Sequence, residues 1–86
     1  MSDRLQLLEN GQTKCGELHS RYPDSVALQA VARQIEYLIG LERDGKSDRS
    51  HLKNITIGVL TAREIEPLDG DAAEIFYKIA SAAKLM

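Results

Sequence analysis

The chain has one cysteine, two prolines and no tryptophan, and no long apolar run is present. A lone cysteine excludes an intramolecular disulfide, so the fold has to rest on a hydrophobic core. No apolar run approaches the ~18 residues that span a bilayer, which argues against a membrane protein. Residues 1–4 lead straight into amphipathic sequence without the pattern of a secretion signal, so we expect a cytoplasmic protein.

An excess of charge of one sign is also missing. The 11 lysines and arginines nearly balance the 13 aspartates and glutamates, which leaves a net charge of −2, and no basic cluster is visible. Binding to nucleic acid needs a concentrated basic face that neutralises phosphates, so we do not expect nucleic acid as a partner. The length of 86 residues predicts a single domain over residues 1–86.

The first two of four amphipathic segments have clear boundaries. A helix from Arg4 should end around Tyr22, because Pro23 restricts the backbone of the residue before it. A second helix should begin after an N-cap at Asp24 or Ser25 and end near Gly45. Its core stripe has helical spacing: Leu28, Val31, Ile35 and Leu38.

The last two segments complete an all-α protein. A cap at Ser47 or Asp48 predicts a third helix that runs to about Arg63, although its β-branched middle could form a strand that would lack a partner. Asp71 with Glu74 forms an acidic variant of the capping box that opens the last helix. Four helices with short connections predict a compact antiparallel four-helix bundle. The predicted core residues of these two helices are Leu52, Ile55, Val59, Leu60, Ile75, Phe76, Ile79 and Ala82 or Ala83.

Residues for catalysis or metal binding are scarce. His19 and His51 lie on different predicted helices, and no pair of carboxylates accompanies both at the spacing of metal ligands. We expect His51 to have a capping or surface role and Cys15 to be a buried structural thiol. No glycine-rich phosphate loop and no nucleophile with a neighbouring base is present. The sequence therefore predicts no enzyme, no metal site and no cofactor.

The segment Asp24-Ser25-Val26 permits one alternative. It is similar to the Asp-Ser-Leu of acyl carrier proteins, whose serine carries phosphopantetheine and which are also small helical bundles. Those proteins are usually strongly acidic around the helix that follows, whereas this chain has no carboxylate between Ser25 and Glu36. An N-cap explains the segment without modification. Phosphopantetheine attachment, measured by mass, would favour the alternative.

One stretch of the chain gathers acidic residues without a lysine or arginine among them. A solvated loop followed by a helix cap explains such a stretch. The functional hypothesis is an acidic projection that enters a basic pocket of a protein partner, where opposite charge speeds association. The candidate binding residues are Glu64, Glu66, Asp69, Asp71 and Glu74.

The chain from Arg21 onward contains the segments Arg21-Tyr22-Pro23, Gln34-Ile35-Glu36-Tyr37, Asp48-Arg49-Ser50-His51-Leu52, Ile55-Thr56-Ile57-Gly58 and Glu64. With these segments the sequence resembles the small helical immunity proteins of bacterial type VI secretion, whose best-known member neutralises an effector that degrades NAD(P). The resemblance implies a helical bundle that binds a toxin domain, obstructs its active site and performs no chemistry. Among the matching positions we expect some fold determinants, with Gly58 as a close helix contact.

Two alternatives concern how the chain uses its apolar surface. A secretion chaperone or adaptor would hold an unfolded partner on an exposed apolar face. A homodimer would bury apolar residues that exceed the needs of one four-helix core. The residues that suggest this surplus are Tyr37, Ile39, Leu41 and Ile57.

Overall fold

The computed structural model describes residues 3–43 and 49–86, and the regular structure in those ranges is helical throughout. Helix α1 spans Asp3–Arg21, α2 spans Val26–Arg43, α3 spans Ile57–Leu60 and α4 spans Gly70–Ala83. A 3₁₀ turn, Leu52–Asn54, precedes α3, and a π-helix, Thr61–Ile65, continues it. The predicted all-α bundle is confirmed. No helix of the described residues is long and apolar enough to cross a membrane.

Helices α1 and α2 form an antiparallel hairpin. Ser25 caps α2, because its Oγ accepts a hydrogen bond of 3.2 Å from the backbone N–H of Leu28. Arg4 Nη1 at the start of α1 lies 3.3 Å from Glu42 Oε2 at the end of α2. These contacts confirm the predicted cap at Ser25 and show that the two helices run in opposite directions. The predicted stops and caps at Gly45, Ser47 and Asp48 lie outside the described residues.

The core is a single cluster at the meeting point of the helices. Helix α1 packs against α2 and α4, and α3 packs against α2 and α4. Gly11 lies at the centre, since an added Cβ there would collide with the Cδ1 atom of Ile79 and lie 3.2 Å from that of Ile35. The predicted core stripe of α2 is confirmed as buried. So are Phe76, Ile79 and Ala83 of α4.

The prediction of one continuous third helix is wrong. Thr56, the residue before α3, has φ −121° and ψ 18°, so the helical path is interrupted between the 3₁₀ turn and α3. The β-branched residues of this stretch give helix little local support. Val59 is 54% exposed and therefore does not belong to the core. Gly58 does contact α4 as expected, since its added Cβ would lie 3.5 Å from the Ala80 Cβ.

The predicted N-cap of the last helix is also corrected. Asp69 caps α4, two residues before the predicted Asp71. The reason is geometric: Asp69 has the extended backbone typical of an N-cap (φ −159°, ψ 107°), whereas Asp71 is already inside the first turn.

The apolar surplus proposed for a homodimer is largely used within one chain. Ile39, Leu41 and Ile57 are buried in the core, and Tyr37 is half-buried. The homodimer itself stays a prediction, but these three side chains do not support it.

Candidate functional site

The acidic stretch runs from the π-helix over a short loop to the first turns of α4. Glu64, Glu66, Asp71 and Glu74 are exposed, and Asp69 is half-buried. The π-helix places Ile65 in the core, so the glutamates on either side of it face solvent. The five predicted binding residues are thus accessible to different degrees, and four environments can be distinguished.

Asp69 serves the structure of the chain itself. Its Oδ1 accepts a hydrogen bond of 3.1 Å from the backbone N–H of Ala72, and its Oδ2 lies 3.9 Å from Arg21 Nη1. The pKa of Asp69 is lowered, first by the Ala72 hydrogen bond, then by a second backbone hydrogen bond from Asp71 and by the charges of Lys14 and Arg21, against some desolvation. This carboxylate is therefore the N-cap of α4.

Glu66 and Glu74 line the same groove, which we call the acidic groove. It has a volume of about 310 Å³, and Tyr77, Lys78 and Ser81 of α4 also line it. Lys78 Nζ lies 3.7 Å from Glu74 Oε1, one turn away, in an exposed ion pair that is worth little in energy. The pKa of Tyr77 is raised by desolvation and by the charge of Glu66. An aromatic ring therefore lies beside a carboxylate in an open groove.

Glu64 points to a different part of the surface. It lines a groove of about 440 Å³ at the start of α2, together with Asp24, Val26 and Leu60. The sequence prediction of one acidic projection is therefore refined: Glu66 and Glu74 share a groove, Glu64 lies in another, and Asp71 is exposed in the first turn of α4.

Sequence reasoning missed a third groove, which lies beside the acidic one. This apolar groove, about 440 Å³ in volume, lies between the 3₁₀ turn, α3 and α4, and Leu52, Ile55, Val59, Tyr77 and Ala80 are among its lining residues. The signal for it is the β-branched stretch that interrupts the third helix. That interruption turns Val59, assigned to the core from its spacing, outward.

The surroundings of Cys15, His51 and Ser25 indicate structural or surface roles for these side chains. Cys15 is 4% exposed and burial raises its pKa to about 11, which confirms a buried structural thiol. Within the described ranges, no three His, Cys, Asp or Glu side chains are grouped closely enough to hold a metal ion. His51 is exposed, caps nothing through its side chain, and lies edge-on to Tyr37 with ring centroids 5.8 Å apart. The Ser25 hydroxyl is used as an N-cap, which explains the carrier-like segment without modification.

A comparison with models of protein families identifies the family of this chain. The model named Tsi6 matches residues 4–85. The chain belongs to the Tsi6 family. The predicted resemblance to small helical immunity proteins of type VI secretion is therefore confirmed. A comparison with curated protein sequences finds no significant match.

Solved structures share the fold of this Tsi6-family chain. The structure of Tsi6 from Pseudomonas aeruginosa superposes with a TM-score of 0.87 at 19% identity, covering 96% of this chain and 95% of that chain. A chain of the structure of Tse6 in complex with Tsi6 gives a TM-score of 0.89 at 18% identity, covering 95% of this chain and 87% of that chain. The helical arrangement is thus retained although most residues differ.

Proposed function

We propose that this chain protects bacteria by binding the toxin domain of a type VI secretion effector in the cytoplasm and occluding its active site. The observation that carries the proposal is the Tsi6 family match over residues 4–85. A similar fold occurs in the structure of Tse6 in complex with Tsi6, which supports a role in binding. The toxin we expect is an NAD(P) glycohydrolase. Inhibition by occlusion requires no catalysis by the chain itself.

The acidic groove supplies the electrostatic part of the proposed binding. An enzyme that acts on an anionic nucleotide binds it with positive charge, so an acidic inhibitor is steered towards the same region. Glu66 and Glu74 contribute most directly, because they line one groove, while Glu64 and Asp71 add exposed charge nearby in the sequence. Asp69 acts indirectly, because its side chain fixes the start of the helix that carries Glu74.

Inhibition can be tested with the purified toxin domain of the cognate effector. The purified domain is mixed with NAD⁺, and the loss of NAD⁺ is followed with and without an equimolar amount of the chain. We expect turnover to stop near a 1:1 ratio. Unchanged turnover with excess chain would contradict the proposed function. If the toxin domain does not consume NAD⁺ but the chain still protects cells from it, the glycohydrolase assignment alone is wrong.

The role of the acidic groove can be tested by charge reversal. The double variant Glu66→Lys/Glu74→Lys should slow association by about tenfold at low salt and reduce its dependence on salt. Glu17→Lys/Glu36→Lys is a matched control, because both glutamates are exposed on helices and the change in net charge is the same. Equal slowing by both double variants would show that only net charge matters, and would refute a specific role for the groove.

A further inference from the structure

The groove at the start of α2 is lined by two carboxylates that come from different parts of the fold. Asp24 precedes α2, and Glu64 belongs to the π-helix. Of the described residues that line this groove, none is a lysine, an arginine or a histidine. In the acidic groove, by contrast, Lys78 lies beside Glu74 and offsets its charge. We call the groove at the start of α2 the Asp24 groove.

The fold leaves both carboxylates of the Asp24 groove unused. Within residues 3–43 and 49–86, neither Asp24 nor Glu64 forms an ion pair or a side-chain hydrogen bond, and the five ion pairs of those ranges involve other carboxylates. The N-cap of α2 is the Ser25 hydroxyl, so Asp24 contributes to that helix only through the general attraction of its N-terminus for negative charge. Glu64 has no such role. The groove therefore holds negative charge that the described part of the chain does not neutralise.

Apolar side chains line the Asp24 groove between its carboxylates. Val26 is 74% exposed, and Ala27, Ala30 and Leu60 are half-buried. A ligand that fits this groove is positively charged at one end and apolar along its length. An arginine side chain has this form, because its guanidinium group carries five N–H donors that can bind carboxylates and its methylene groups can cover apolar surface.

We propose that the Asp24 groove binds an arginine side chain of the toxin domain, with the guanidinium group between Asp24 and Glu64 and the methylene groups against Val26 and Leu60. This inference rests on the proposed function and deepens it by naming one contact of the interface. An enzyme that binds an anionic nucleotide has positive charge around its active site, so an inhibitor that covers this site meets basic side chains. The unneutralised carboxylates of the groove are complementary to them.

A second copy of the chain does not supply the same complement in a twofold dimer. Each copy would contribute the same surface, so the Asp24 groove of one copy would face that of the other. Four carboxylates would then meet in one interface, and burying like charges without partners opposes association. The charge of the groove therefore favours the toxin domain over a second copy as its occupant.

The test removes the two charges while keeping the size of the side chains. Asp24→Asn/Glu64→Gln is compared with the unmodified chain, and the association and dissociation rates with the purified toxin domain are measured by surface plasmon resonance. A charge that only steers a partner alters the association rate, whereas a charge in direct contact alters the dissociation rate. We expect the dissociation rate to rise by at least about tenfold and the association rate to fall by less than about threefold.

Asp3→Asn/Glu17→Gln is the matched control. Asp3 lies in the first turn of α1 as Asp24 lies at the start of α2, and both control residues are exposed. The exposed ion pair between Glu17 and Lys14 contributes little to stability, and the change in net charge is the same in both double variants. We expect the control to change the dissociation rate by less than about twofold. Circular dichroism checks that both variants are folded.

The outcomes separate the groove from the function. If the unmodified chain does not bind the toxin domain, the proposed function fails and the groove fails with it. If the unmodified chain binds and Asp24→Asn/Glu64→Gln dissociates no faster, or no faster than the control, only the assignment of the groove is wrong. The same holds if the variant loses a dimer in sedimentation but keeps its toxin binding. Should the double variant not fold, Glu64→Gln alone replaces it, with an expected rise of the dissociation rate of about threefold.

Discussion

The α1–α2 hairpin and the segment from Leu52 to Ile65 are built in different ways from similarly apolar sequence. The hairpin consists of helices of 19 and 18 residues. The segment contains a 3₁₀ turn of 3 residues, an α-helix of 4 and a π-helix of 5. Long helices are supported by their own repeated hydrogen bonds and by one continuous apolar stripe. Elements this short depend on contacts with the rest of the protein.

The contacts that support this irregular segment come from α2, from α4 and from its own core residues. The side chain of Gln34 makes two hydrogen bonds to Thr56: Gln34 Oε1 accepts from the backbone N–H at 2.8 Å, and Gln34 Nε2 donates to Thr56 Oγ1 at 2.9 Å. Ile57, Thr61 and Ile65 are fully buried. The two regions therefore differ in what determines their structure. The helices of the hairpin are determined by the local sequence pattern, and the irregular segment is determined by its contacts with the rest of the protein.

The largest expected effect tests how closely α1 of the hairpin packs against α2 and α4. Gly11→Leu should lower the free energy of unfolding by about 3 kcal/mol, because the new side chain has to enter a space already filled by Ile35 and Ile79. Urea denaturation followed by circular dichroism measures it.

Gly16→Leu is the matched control on the same helix. Gly16 is exposed, and nothing lies within 4 Å of an added Cβ there, so the substitution should stabilise α1 by up to about 1 kcal/mol through helix propensity. Equal stabilities for the two variants would show that α1 does not pack closely at Gly11.

The predictability of the fold follows the same division. The stripe of α2 and the stop before Pro23 could be predicted, because the signals for them lie within a few residues of one another. The break at Thr56 could not, because a side chain 22 positions away takes the backbone N–H of that residue. Val59 was assigned to the core for that reason, since a continuous helix would have turned it inward.

The candidate site was predictable in composition and not in arrangement. The sequence shows the acidic residues, but a linear stretch does not tell which carboxylate is used by the fold and which is free for a partner. The backbone at Asp69 decides this, since its extended conformation makes it the N-cap. The apolar groove depends on how α4 meets the irregular segment, which no local pattern encodes.

A smaller effect is expected from removing the link between α2 and the irregular segment. Gln34→Ala should lower the free energy of unfolding by about 1 kcal/mol, at the low end for the net contribution of two hydrogen bonds, because water can replace the lost partner at the exposed Thr56. Relative to the unmodified chain, Gln34→Ala should speed the exchange of the α3 amides with solvent more than that of the α1 amides, as measured by hydrogen exchange. Gln29→Ala on the same helix is the control, since its side chain makes a single long hydrogen bond of 3.4 Å to the Pro23 carbonyl. If both variants leave α3 equally protected, the irregular segment is supported by its buried side chains alone.

The smallest effect concerns the point where the irregular segment ends and regular helix resumes, and it appears as a pH dependence. The pKa of Asp69 lies below its ordinary value of 3.8, so the unfolded chain binds the proton more readily than the folded one. The stabilising effect of the carboxylate is therefore complete above pH 3.8 and is lost as the pH falls through the folded pKa. Asp69→Asn keeps an oxygen that can cap α4 and should reduce the fall of Tm at acid pH, which we call the acid limb. Asp69→Ala should also lower Tm at pH 7. Thermal unfolding of both variants between pH 2 and 7 measures the effects, and an acid limb that persists in Asp69→Asn would assign it to other carboxylates.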